Sequence, residues 1–451
     1  MALESHPKAP AGRREASPAV PAPPDAALDR ELARGLENAP RVSTLSDSYG
    51  KVRRVTEALC APLALDDYAV QSMPDASPAK WHLAHTSWFF EEFALQHFAE
   101  GYRFYDASWR FLFNSYYETV GPRLSRGDRG LLTRPTVEQT FAYRAHVDEQ
   151  MSRLLERREE SDELWRVVTL GLHHEQQHQE LLLTDIKHAF SRNPLRPAYL
   201  PPVAAPGCKS PTLDFIEFEG GLAEIGHEDR GFCFDNELPR HRVWIAPFRI
   251  ANRLITNEEF RGFIESGGYT SPEHWLSDGW ACIERERWTR PLYWGDSLDH
   301  EFTLAGVQAL DPQAPVCHLS YYEADAFARW AGARLPSEFE WELAAAELPV
   351  RGNFVEDEQL RPLAPAGGGA APHQMFGDAW EWTRSAYAPY PGYAPPQGAL
   401  GEYNGKFMVS QLVLRGGSCL SPRSHIRATY RNFFPPAARW QMSGLRIATD
   451  V

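Results

Sequence analysis

The chain has 451 residues, of which 43% are hydrophobic, 24% charged and 12% aromatic; that length and composition fit a folded globular protein of two or three domains. Its 46 Lys and Arg against 60 Asp and Glu give a formal charge of -14, which argues against a nucleic-acid partner. No apolar run reaches the length of a membrane span, and the N-terminus has no apolar core of the kind a secretory signal needs.

Residues 1–40 carry many Ala, Pro and Arg and few large apolar side chains, the composition of a disordered tail. Residues 41–192 have helical periodicity and read as a helical bundle. A first helix is expected from about Ser46 to Leu63. A second begins near Ala79 and holds Trp81, His82, His85, Trp88, Phe89 and Phe90. A third follows Pro135, where Thr136 and Gln139 form a capping box, and runs to about Arg157. The fourth is capped by Ser161, with Asp162 and Glu163 in its first turn, and continues past Ile186 with Gly171 as its one interruption.

The fourth helix contains His174-Glu175-Gln176-Gln177-His178. His174 and His178 are four residues apart and share a helix face, which is how one helix offers two imidazoles to a first-row transition metal. The same five residues match the H-E-x-x-H pattern of zinc proteases. That reading needs a third ligand nearby. Leu181 and Thr184 stand where the extended pattern requires glycine and histidine, and there is no Asp or Glu between Ile186 and Leu213. Bundles build metal sites from facing helices, so the third ligand is sought on the second helix. His85 is the best candidate there. His82, three residues earlier on a similar face, is its competitor and is expected to matter much less.

Between the second and third helices runs a long loop holding Tyr116, Tyr117, Arg123, Arg126 and Arg129. Such loops are often functional. The tyrosines offer phenols for proton transfer and the arginines offer cations for a carboxylate. The competing reading is an aromatic plug over the bundle with solvated arginines.

Residues 193–212 contain 6 prolines and read as a linker. Residues 213–451 form an α+β domain: Phe215–Phe218 and His241–Ile245 alternate like strands, and Ser320/Glu323 and Ser337/Glu340 are capping boxes that open two helices. The cysteines Cys60, Cys208, Cys233, Cys282, Cys317 and Cys419 lie far apart without a C-x-x-C pair, which suits a reduced, cytoplasmic setting.

Several stretches of this second half carry a resemblance. Gly332-Ala333-Arg334-Leu335-Pro336-Ser337-Glu338-Phe339-Glu340-Trp341-Glu342, Phe376-Gly377-Asp378-Ala379-Trp380-Glu381-Trp382-Thr383, Leu414-Arg415-Gly416-Gly417-Ser418 and Gly444-Leu445-Arg446 resemble formylglycine-generating-enzyme-like (FGE-sulfatase) domains, which have a C-type-lectin-like fold. The cysteine pair that formylglycine formation uses is missing, since Cys419 stands alone. The N-terminal half resembles a DinB-like metal bundle. Together the two halves resemble the ergothioneine-biosynthetic sulfoxide synthases (EgtB-like).

That resemblance implies an enzyme, a hercynine oxygenase. His85, His174 and His178 would bind a mononuclear non-haem Fe(II). Hercynine, O2 and cysteine or γ-glutamylcysteine would be its small-molecule partners, and a sulfoxide its product. Gln177 would reach the hercynine. Trp380, Trp382, Tyr430 and Phe433 would offer aromatic faces to the trimethylammonium, with Asn432 as a polar neighbour. Some members place the proton-donating tyrosine in the C-terminal domain, where Tyr387, Tyr390 and Tyr393 lie here. The Tyr116-Tyr117 loop resembles the other branch, so these two are the expected donors. Where one branch grips γ-glutamylcysteine with Asp and Arg, this chain has Phe434 and Ala438, leaving Arg123, Arg126 and Arg439 to clamp the thiol's carboxylate. Histidine- or selenium-using sister synthases, and a lectin-like binding protein with a structural metal, are the alternatives.

Overall fold

The computed structural model describes residues 44–156, 161–203, 207–228, 231–365 and 371–451. The tail expected over residues 1–40 lies outside them.

The helical half opens with α1 (Leu45–Cys60), capped by Thr44 in a reciprocal box with Asp47. Helix α2 (Ala79–Phe90) is buried at every position. It is therefore the centre of the bundle, and it runs on into a single π-helical stretch at Glu91–Leu95. The Thr136/Gln139 box opens α3 (Val137–Glu156) as expected. Helix α4 (Asp162–Arg192) has 31 residues, a rod of about 46 Å, and its first free amides are met by Ser161, whose Oγ accepts from the Leu164 N–H at 3.1 Å. Gly171 does not break it. A Cβ there would stand 2.5 Å from a ring carbon of Phe90, so the glycine lets α4 lie against α2.

The proline-rich stretch carries no helix or strand among its described residues. It is fastened to both halves: the Tyr199 hydroxyl donates to the Leu59 carbonyl at 2.6 Å, and the Tyr199 N–H to the Leu304 carbonyl at 2.7 Å.

The second half is built of short strands, β1 (Phe215–Phe218), β2 (Gly221–Ile225), β3 (His241–Ile245) and β4 (Phe248–Ala251), then α5 (Asn257–Glu265), α6 (Ser277–Glu286), β5 (His300–Thr303) and β6 (Gly306–Ala309). Helices α7 (Tyr321–Trp330) and α8 (Glu338–Ala345) begin at the two expected capping boxes. Strands β7 (Trp380–Ala386), β8 (Leu412–Arg415), β9 (Asn432–Phe434), β10 (Ser443–Gly444) and β11 (Ala448–Asp450) follow. One sheet has the order β10-β7-β8-β9 and another β1-β4-β11; β2-β3 and β5-β6 are separate ribbons. Buried ion pairs lock this domain where strands are too short to do so: Arg446 with Glu381 at 2.8 Å, and Arg415 with Glu338 and Glu342, each at 3.0 Å.

The two halves meet along α4. Gly416 and Gly417 take φ of 98° and 85°, the left-handed region that glycine enters freely. The turn they make carries Ser418 and Ser421 to Glu180 of α4, whose carboxylate accepts from both hydroxyls at 2.6 Å and from the Trp380 indole N–H at 2.8 Å.

Candidate metal centre and substrate cavity

His85 comes from α2, and His174 and His178 from α4. All three are buried, and one nitrogen of each lies within 4.8 Å of the others. His85 Nδ1 donates to the Phe113 carbonyl at 2.6 Å, which leaves Nε2 with its lone pair. That Nε2 is 3.1 Å from His174 Nε2. Two ligands at ~2.1 Å from a metal, subtending about a right angle, stand ~3.0 Å apart. The spacing is therefore that of adjacent ligands. His174 Nδ1 is buried without a hydrogen-bond partner among the described residues.

His82 is placed differently from the three. Its Nε2 faces Asp185 Oδ2 at 3.1 Å and its Nδ1 faces His178 Nδ1 at 2.8 Å. With Asp185 accepting from Nε2–H, His82 Nδ1 accepts from His178 Nδ1–H, and His178 keeps Nε2 for a metal. This is an outer-shell support that fixes a ligand's tautomer. Burial lowers all three candidate ligands, His174 to about 3, with neighbouring imidazoles adding to the effect at His85 and His178. Neutral imidazole is the form a metal takes, so the residues present fit a divalent first-row ion.

Glu175 answers the protease reading. A metalloprotease needs this carboxylate at the metal as a base. Here it points away: it pairs with Arg53 at 2.9 Å and Arg144 at 2.6 Å and accepts from the Thr56 hydroxyl at 2.6 Å. Burial alone would raise its pKa, yet Arg144 and Arg53 overcome that and hold it at about 2.

His174 and His178 open on a cavity of about 690 Å³ walled by both halves, and His85 packs against both of them. Among the residues nominated from sequence, His174, His178, Tyr116, Arg123, Arg126, Gln177, Trp380, Asn432 and Phe433 line it, as does Tyr430. Tyr117 stands just behind Tyr116, fully buried against Trp88 and Phe93, its hydroxyl 3.4 Å from that of Tyr116. Burial raises the pKa of both tyrosines, so both hold their protons at neutral pH.

Besides His85 and Tyr117, two nominated residues do not line the cavity. Trp382 shares a strand face with Trp380 but sits deeper, its indole donating to the Leu319 carbonyl at 2.8 Å with no exposed surface. Arg439 lies over the Trp288 ring and faces Glu323 at 3.3 Å, so its charge is already answered. The C-terminal tyrosines Tyr387, Tyr390 and Tyr393 also turn elsewhere, to Asn236, Arg415 and Asp235.

Two further wall residues complete the site, Tyr403, which no sequence signal nominates, and Arg129, the third arginine of the long loop. Tyr403 lines the cavity, with its ring 5.8 Å from that of His174, and its hydroxyl donates to Gln177 Oε1. It lies on an irregular loop, where no periodicity marks it. Arg129 is the cation most in need of an anion. It is buried over the Trp81 ring at 3.4 Å and donates to the hydroxyls of Ser77 and Ser115. Its Nε has no partner, and no carboxylate lies within salt-bridge distance among the described residues. Burial first, then Arg126 and Arg123, pushes its pKa well below the usual arginine range. Arginine nevertheless keeps its charge, so the site calls for a bound anion.

Comparison with known proteins matches the chain to two families. The DinB superfamily matches residues 48–182, and the sulfatase-modifying factor enzyme 1-like domain matches residues 201–371 and 369–451. Hercynine oxygenase of Mycolicibacterium smegmatis is 33% identical over 355 residues, covering 72% of this chain and 81% of that one. Hercynine oxygenase of Mycobacterium tuberculosis is 32% identical over 307 residues, covering 63% and 72%. Ergothioneine biosynthesis protein 1 of Schizosaccharomyces pombe is 29% identical over 234 residues, 49% of this chain and 28% of that one. With a DinB-like bundle joined to a C-type-lectin-like domain, and with this extent of likeness to its relatives, the chain belongs to the hercynine oxygenase family and is an enzyme of that kind.

Proposed function

We propose that this enzyme is a non-haem Fe(II)- and O2-dependent sulfoxide synthase of ergothioneine biosynthesis, joining C2 of hercynine to the sulfur of cysteine or γ-glutamylcysteine. The observation that carries the reading is the cavity itself: neutral imidazoles gathered on one wall, an unanswered Arg129 on another, and aromatic faces on the rest. Overall, an imidazole C–H and a thiol S–H are broken and a C–S bond forms. One oxygen atom of O2 goes to sulfur and the other leaves as water. When bound, Fe(II) would supply the electron exchange with O2 that this four-electron oxidation needs.

The chain's own residues bind, orient and move protons. His85, His174 and His178 would hold the metal, and His174 and His178 border the cavity that would admit substrate. A quaternary ammonium attracts aromatic faces rather than hydrogen-bond donors, and Trp380, Tyr430 and Phe433 offer such faces beside Asn432. Arg129, helped by Arg126 and Arg123 at the rim, takes the carboxylate of the thiol. Tyr116, backed by Tyr117, holds a proton at the cavity wall and donates it during oxygen reduction.

Phe434 lines the cavity and Ala438 is buried, so neither offers charge to a γ-glutamyl group. Cysteine is therefore expected to serve at least as well as γ-glutamylcysteine. An aerobic assay with Fe(II), hercynine and each thiol, following the sulfoxide by mass, decides this. Strong preference for the dipeptide would reverse the assignment, and product only with histidine or a selenium donor would move the enzyme to a sister reaction. In the same assay the Tyr116→Phe/Tyr117→Phe variant is expected to lose sulfoxide formation by about 100-fold or more. Undiminished product would remove these tyrosines from the mechanism.

A further inference from the structure

Gln177 is gripped at both ends of its amide. Its Nε2 donates to the Tyr430 hydroxyl oxygen at 2.7 Å, and its Oε1 accepts from the Tyr403 hydroxyl. The grip continues outward. Tyr430 Oη lies 3.1 Å from His425 Nε2, and His425 Nδ1 lies 3.0 Å from Nδ1 of His173, the residue before the metal ligand His174. Phe232 stacks on the His173 ring at 3.9 Å, 8° from parallel, so that ring cannot swing away freely.

A chain of this kind has a direction. An amide has one donating and one accepting end, a hydroxyl donates once, and a neutral imidazole does one of each. Since Gln177 gives its N–H to Tyr430, Tyr430 gives its proton to His425 Nε2. His425 Nδ1–H then donates to His173 Nδ1. With the opposite tautomers every link reverses: His425 Nε2–H would donate to Tyr430, Tyr430 to Gln177, and the amide would turn its NH2 toward Tyr403. The two imidazoles thus decide which end of Gln177 meets Tyr403. In the first of these directions Tyr403 spends its proton on Gln177, and its oxygen faces the cavity as an acceptor.

We propose that His425 and His173 are positioning residues that set the direction of this chain, so that Gln177 and Tyr403 meet the substrate ring as acceptors and select an imidazole bearing an N–H. The proposal rests on the reading that an imidazole betaine occupies the cavity. It makes the two histidines behind Tyr430 determinants of specificity.

Two measurements test it on the full-length iron-loaded enzyme. His425→Leu removes the acceptor for Tyr430, whereas His425→Gln keeps one. His425→Leu is expected to raise KM for hercynine about tenfold while iron content and KM for the thiol stay as in the wild type, and His425→Gln is expected to recover most of the loss. The leucine variant should also lose its preference for hercynine over the analogue methylated on the ring nitrogen. A wild-type KM in His425→Leu, equal losses for both substrates, or a glutamine variant as poor as the leucine one would overturn the proposal. Independently, 15N-histidine NMR, assigned by difference from His425→Gln, is expected to show His425 as the Nδ1–H tautomer; an Nε2–H tautomer would overturn the proposal whatever the enzyme turns over. A wild type that makes no product from hercynine would instead defeat the proposed function, and the tautomer would still decide the direction of the hydrogen-bond chain.

Discussion

His174→Ala is expected to reduce bound iron and sulfoxide formation to background while the C-terminal domain stays folded, and His85→Ala and His178→Ala should do the same. Each supplies one of three imidazoles, and two leave too few ligands to hold a labile divalent ion. His82→Ala is the informative contrast. His82 only orients His178, through Nδ1 at 2.8 Å, and is itself held by Asp185 at 3.1 Å. Loss of such support typically costs about 10- to 100-fold in metal affinity, so His82→Ala should regain activity as Fe(II) is raised, and His174→Ala should not. Iron titrations of both variants check this. A His82→Ala protein that binds no iron, beside a His85→Ala protein that does, would exchange their roles.

Glu175→Gln is expected to cost about 3 kcal/mol of stability, the low end for breaking a buried pair. Glu175 is fully buried between Arg53 and Arg144, and the amide would leave both guanidinium groups short of charge. The cost is not larger because Arg53 keeps Asp148 at 2.7 Å and Arg144 keeps Glu57 at 3.0 Å. The pH dependence has a definite sign. The folded carboxyl is held at about 2, below its unfolded value of about 4.3. Its contribution is therefore whole above pH ~4.3 and is lost as pH falls toward 2. Denaturant unfolding of wild type and variant from pH 7 down to pH 3 should show the gap between them narrowing with acid. A gap below about 1 kcal/mol at pH 7 would mean that the network carries little of the fold.

The parts of the site legible in the sequence were those set by periodicity. Helix spacing put His174 and His178 on one face, and the aromatic run around His85 marked α2 as central. Capping boxes located the starts of α3, α7 and α8. Spacing alone could not separate His85 from His82, because both face α4. Nor could strand alternation separate Trp380 from Trp382, which share a face of β7 but not a depth. Arg439 was lost to Trp288 and Glu323, partners from distant segments that no local pattern announces. Tyr403 and His425 sit on irregular stretches, and only the tertiary structure brings them to the cavity; Arg129 was visible as one of three loop arginines, but not as the buried one.

Helix α4 ties the two halves into one instrument. Within seven consecutive residues it supplies two candidate ligands, the cavity-lining Gln177 and Glu180, whose carboxylate is seized by Ser418, Ser421 and Trp380 from the other half. A chimera joined at the proline-rich stretch would carry the helix intact yet arrive with a foreign socket for Glu180. One residue is about 1.5 Å of rise, so a mismatch there would slide or turn the whole rod and displace His178 with it. Recombining halves from different relatives should therefore fail unless the two serines and the tryptophan travel with the helix, and transplanting those three is the smallest graft that could restore the register.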